Sequence, residues 1–174
     1  NTQELSAVAT KRFLTAVEGG KVKLQSPNDH LLLLELLAAE PCSPFALREV
    51  GNRLTNGNKE IQAAAHALAR KYGREARSLA DPLWKRLLDK KAKLALEDRL
   101  TSLATLQIIE EFHAEPWQQI LAEGEMPVVR DAIRSWRNFK GIAGAVEALT
   151  SAAKSVVEKE PAVADDLRSV FTHL

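Results

Sequence analysis

The residues able to do chemistry are few and scattered. Four histidines, His30, His66, His113 and His173, and one cysteine, Cys42, are far apart with no spacing that suits a shared metal. A lone cysteine excludes an intramolecular disulfide and a cysteine-rich zinc site, and it points to a reducing, intracellular compartment. Glu110 and Glu111 lie near His113, but adjacent residues on a helix point about 100° apart. Their expected role is therefore surface solubility rather than acid–base work. Ser, His and Asp are present without a nucleophile elbow or a glycine-rich phosphate loop. Gly141-Ile-Ala-Gly144 reads as the small-residue opening of a closely packed helix, not as a phosphate site. No catalytic residue, metal or cofactor is expected, and the chain reads as a non-enzyme.

Two helix–loop junctions gather cations around an aromatic. Arg70, Lys71, Arg74 and Arg77 surround Tyr72; Arg130, Arg134, Arg137 and Lys140 surround Phe139. Cations at a helix C-terminus favour the macrodipole, which is reason enough for them to be there. The same arrangement makes an electropositive rim around an aromatic anchor, apt for an acidic, hydrophobic peptide. Both readings stand at this level, and Phe139 is expected to be half-exposed. Aromatics make up only 5% of the chain, so Trp84, Trp117 and Trp136 are expected as core anchors. Lys85, Arg86, Lys90, Lys91 and Lys93 distribute round a helix axis and read as a solvated face, with Asp89 pairing locally.

The elements that must position these residues are all helical. The 174 residues are 45% apolar and 27% charged, with Leu, Ala, Val and Ile supplying the core. That composition favours helix on helix. Pro27, Pro44, Pro116, Pro127 and Pro161 sit where a first helical turn places them, with Ser26 and Ser43 as N-caps. Gly19-Gly20, Asn56-Gly57 and Gly73 mark stops. Between them apolar residues step by three or four, as in Ile61, Ala65, Leu68, Tyr72, and no segment alternates with period two. Expected helices span 3–18, 27–39, 44–54, 58–72, 74–91, 96–113, 116–123, 127–138, 142–158 and 161–172. The order of a leucine-rich helix, a short Pro-started helix, an amphipathic helix ending in an aromatic and a long helix occurs twice. Residues 1–92 carry 15 Lys+Arg against 10 Asp+Glu, and residues 93–174 carry 9 against 13. Two tandem helical bundles, 1–92 and 93–174, are expected. With no Gly or Pro from Leu83 to Glu115, a continuous helical connection should pack them as one unit. The longest apolar run, Leu31–Leu34 resuming at Leu36–Ala39, is too short for a bilayer. The first residue is not Met, so the chain reads as an excised or processed piece.

Ala67-Leu-Ala-Arg-Lys-Tyr-Gly73 followed by Ser78-Leu-Ala-Asp-Pro-Leu-Trp-Lys-Arg-Leu-Leu88 resembles the C-terminal signature of the N-terminal domain of transcription elongation factor S-II, with Trp84-Lys85-Arg86-Leu87 matching its ending. Leu103-Ala-Thr-Leu-Gln107 and Ile133-Arg-Ser-Trp-Arg-Asn-Phe-Lys140 are similar to the integrase-binding domain of lens epithelium-derived growth factor, a relative of the same module. The resemblance covers roughly residues 28–158 in two pieces. It implies a right-handed stack of helices, armadillo- or HEAT-like, repeated in tandem. It implies a nuclear scaffold in transcription elongation or chromatin complexes that binds short disordered acidic–aromatic peptides. The pocket would lie between the first interhelical loop and the loop before the last helix. In the second copy it would use Arg137, Phe139 and Lys140 with Leu88 and Asp89 from the opposite loop; in the first, Lys71, Tyr72 and Arg74. Three departures from the family pattern bear on this: Pro82 interrupts the last helix of the first copy, Ala153 stands in place of a tryptophan, and Asn52–Asn58 lengthens the first copy's middle. A generic helical adaptor and a helical nucleic-acid-binding domain are the rival readings.

Overall fold

A computed structural model describes residues 2–89, 91–110, 112–142 and 144–173, without the side chains of residues 2–6 and Glu123. These residues are helical with no strand among them, and no helix described is long and apolar enough to cross a membrane. The chain divides into two compact units, Asn1–Leu79 and Ala80–Leu174.

The first unit holds α1 (Thr2–Glu18), α2 (Pro27–Ala39), α3 (Pro44–Gly51), α4 (Lys59–Tyr72) and a 3-10 segment, Gly73–Leu79. Local chemistry sets the helix starts. Ser26 caps α2 in a capping box: its hydroxyl accepts from the Asp29 N–H, and the Asp29 carboxylate accepts from the Ser26 N–H at 2.9 Å. Those backbone donors hold the Asp29 carboxyl below the ordinary carboxylate range. Ser43 caps α3 and Asn58 caps α4 by the one-way bond alone, the Ser43 hydroxyl accepting from the Ala46 N–H and the Asn58 side-chain oxygen from the Glu60 and Ile61 N–H groups. Leu33, Leu34 and Leu37 of α2 and Ile61, Ala65, Leu68 and Tyr72 of α4 form the centre of this unit's core, closed by Phe45, Ala46 and Val50 of α3.

The expected helix 74–91 does not form as one piece. Gly73 takes φ +57°, the chain continues as a 3-10 turn, and α5 (Ala80–Leu88) starts afresh. Pro82, expected to interrupt a helix, lies in the first turn of α5, where its missing N–H is not needed. The division between units thus falls at Leu79 and Ala80 rather than at 92 and 93, and α5 belongs to the second unit.

That unit continues with α6 (Leu96–Ile109), α7 (Ala114–Glu123), α8 (Met126–Ser135), a 3-10 turn Trp136–Phe139, α9 (Ala145–Lys159), a 3-10 turn Pro161–Val163 and α10 (Ala164–Phe171). The expected continuous helical connection is also interrupted: Asp89 and residues 91–95 lie outside any helix. Asp89 ends α5, its carboxylate accepting the Lys91 N–H at 2.8 Å, a local bond that competes with helix propagation. The core is aromatic at its centre. Trp117 lies 5.2 Å from Trp84, 5.8 Å from Trp136 and 5.2 Å from Phe139, ring centre to ring centre and edge to face. All three tryptophans are buried.

Candidate functional site

The first junction, at the end of α4, is partly a structural lock. Tyr72 is buried, its hydroxyl donates to the Leu37 carbonyl at 2.8 Å, and burial pushes its pKa up to about 12. Lys71 donates from Nζ to the Ala38 carbonyl. The last turn of α4 therefore satisfies carbonyls at the open end of α2. Tyr72, expected as a ligand anchor, is core, and Lys71 caps a neighbouring helix instead of lining a rim. The reason is a contact spanning 35 residues for Tyr72 and 33 for Lys71, invisible to local spacing.

Arg74 behaves differently. In a 3-10 turn side chains at i and i+3 eclipse, so Arg74 and Arg77 project to one side of the segment after Gly73. Both are exposed and line a groove of about 480 Å3 with Cys42, Ser43, Pro44, Leu47 and Glu75. The groove runs between the α2–α3 loop and the 73–79 segment. Burial raises the Cys42 thiol pKa, which keeps the sulfur protonated and a poor nucleophile. Arg77 belongs to the cation cluster the sequence shows at this junction, whereas the Cys42–Leu47 wall, more than 25 residues away in the chain, carried no local signal.

The second junction is not assembled as expected. Phe139 is 3% exposed, with ring centres 4.8 Å from Phe112 and 6.0 Å from Trp136. It is a core residue, not a half-exposed anchor, because Trp117 and Phe112 enclose it. Arg137 reaches α10, donating to the Ser169 hydroxyl at 2.5 Å, and Arg134 pairs with Asp166 at 3.1 Å. Lys140 is exposed. Leu88 and Asp89 line a different cleft, of about 70 Å3, with Leu87, Arg99, Gln119, Ile120, Gly124 and Val128. Arg137, Phe139 and Lys140 are not part of that lining, so the two halves of the expected second pocket do not meet.

The expectation for Glu110 also fails. Glu110 is 9% exposed and ends α6; its Oε2 accepts the Trp84 indole N–H, and His113 Nδ1 stands 3.1 Å from Oε1. Burial raises its pKa, with Trp84 and His113 opposing. Glu110 joins α5, α6 and the start of α7 rather than solubilising a surface, because Trp84 comes from 26 residues away. It lines neither the first unit's groove nor the Leu88 cleft. Glu111 lies outside the described residues. Among the described residues no three His, Cys, Asp or Glu are grouped to hold a metal ion.

The chain matches no protein-family model, no curated protein and no solved structure.

Proposed function

We propose that the chain is a non-catalytic interaction scaffold whose first unit takes short, disordered, acidic–aromatic peptides in the groove between the α2–α3 loop and the 73–79 segment. The carrying observation is the pairing of two exposed guanidiniums, Arg74 and Arg77, with an apolar wall from Pro44 and Leu47. Two cations against the single carboxylate of Glu75 leave the groove electropositive, which favours an acidic ligand and steers its approach. The apolar wall gives an aromatic side chain somewhere to lose water. We take this groove as the counterpart of the interloop pocket that the resemblance to elongation factor S-II implies. On that resemblance the two units are tandem modules of a right-handed helical stack, and the protein is a nuclear scaffold of transcription elongation or chromatin complexes.

The test is fluorescence anisotropy with a labelled peptide of alternating Asp and Glu around one Phe. Arg74→Glu combined with Arg77→Glu should weaken binding by at least about tenfold, or about 1.4 kcal/mol, with the melting temperature unchanged. Equal binding by the double variant would remove the groove from the reading. A labelled single-stranded RNA bound more tightly than the peptide, with affinity falling steeply in salt, would replace the scaffold with a nucleic-acid-binding function.

A further inference from the structure

We infer that the second unit carries a separate docking cleft, where α5 ends, for a peptide presenting one aliphatic side chain between a carboxylate and a cation. This does not rest on the first unit's groove, and the ligand differs in chemistry. Leu87, Leu88, Ile120 and Val128 supply the apolar part of a small, mixed lining, and Gln119, Asp89 and Arg99 the polar part, with one charge of each sign. A cleft this small admits one side chain, with the rest of a peptide lying across its mouth. Gly124 adds no side chain to the wall, and none fits there: a Cβ would stand 2.5 Å from the Ile120 carbonyl oxygen.

Arg99 supplies the reason for a carboxylate. Its Nε is buried and has no hydrogen-bond partner among the described residues. Its Nη1 lies 3.4 Å from Glu125 Oε1, and the Glu125 side chain is 62% exposed. A partner so far into water contributes little, and a desolvated guanidinium N–H without an acceptor is unfavourable. A ligand carboxylate displacing Glu125 at the cleft would take over the charge-assisted contact at Nη1, the nitrogen already turned toward a carboxylate. Asp89 supplies the reason for a cation. It is exposed, with its Oδ1 engaged by the Lys91 N–H, so a ligand ammonium gains a weak contact there that orients the peptide more than it holds it. A peptide with acidic groups alone would bring like charge to Asp89 and Glu125, so the cleft discriminates against the ligand of the first unit.

The experiment is a titration of the 15N-labelled full chain with acetyl-Glu-Leu-Lys-amide, followed by amide chemical shifts. Saturable shifts at Leu88, Asp89, Arg99, Gln119 and Gly124 are expected. Acetyl-Lys-Leu-Lys-amide and acetyl-Glu-Leu-Glu-amide should each bind several-fold more weakly, and acetyl-Glu-Asn-Lys-amide should not saturate. Arg99→Gln should weaken the first probe about tenfold while leaving the rest of the spectrum in place. Should Arg99→Gln lose dispersion, the half-buried Leu88→Asn variant is expected to keep its spectrum and to bind the first probe about tenfold more weakly. Shifts confined to residues 1–79, equal binding by all the probes, or undiminished binding by the folded variant would each overturn the cleft.

Discussion

Tyr72 and Phe139 have the same sequence surroundings, an aromatic at the end of an amphipathic helix with cations beside it and glycine after it. That setting is compatible with an anchor for a ligand or with a plug for the helix end, and the distinction is made by residues elsewhere in the chain. For Tyr72 the partner is the Leu37 carbonyl; for Phe139 the partners are Phe112, Trp117 and Trp136. Phe139→Ala should therefore behave as a core truncation. It would remove edge-to-face contacts and leave a cavity, at a cost of about 3–5 kcal/mol. Chemical denaturation of the variant checks this, and a loss under about 1 kcal/mol would return Phe139 to the surface. Arg137 and Lys140 then need no ligand: one bonds Ser169, and the other projects into water.

At the scale of elements, the starts of α2 and α3 were legible because each is a side-chain–backbone bond closed within a few residues, at Ser26 and Ser43; Asn58, placed inside the expected helix 58–72, is the cap of α4. How α2 is joined to α3 was not. Arg53, just beyond α3, is 5% exposed; it donates to His30 Nδ1 through Nε at 3.2 Å and Nη2 at 2.9 Å, and to Glu49 through Nη1 at 2.9 Å. His30 accepts only as neutral imidazole. Burial first, and then Arg53, hold its pKa below the ordinary 6.5, against the opposing pull of Asp29 and Glu49. The sign follows from linkage: the unfolded chain takes up the proton first, so stability is lost as pH falls below about 6.5 toward the depressed folded value, and is fully present above. Melting temperatures from pH 8 to pH 5 should fall more for the wild type than for His30→Asn, whose amide oxygen accepts without titrating. Parallel curves would rule out the clamp. Asp29, with its pKa held down, acts only in more acidic solution.

At the scale of the molecule, the assignment of α5 decides where the chain can be cut. Leu83, Trp84 and Leu87 are buried in the second unit, each contributing about 1.5–3 kcal/mol by burial. Together they rival the whole stability of an ordinary domain, about 5–15 kcal/mol. A fragment of residues 80–174 should keep native-like helicity and a cooperative melt. A fragment of residues 93–174, cut where the sequence placed the boundary, would leave Trp117 and Glu110 without Trp84. It should melt far lower or lose cooperativity. Circular dichroism of the pair decides it, and equal melts would detach α5 from this unit. By itself the sequence determined that the chain is helical, where most helices begin, and that its few tryptophans are core. Periodicity and capping are local, operating within about one turn of helix. Only the tertiary structure decided that Phe139 and Glu110 are buried, that Arg74 lines a groove while Lys71 caps α2, and that Leu88 shares a cleft with Arg99 rather than Arg137. Those outcomes depend on contacts between residues up to 33 apart in the chain, and the burial they bring is a property of the assembled packing that no local spacing encodes.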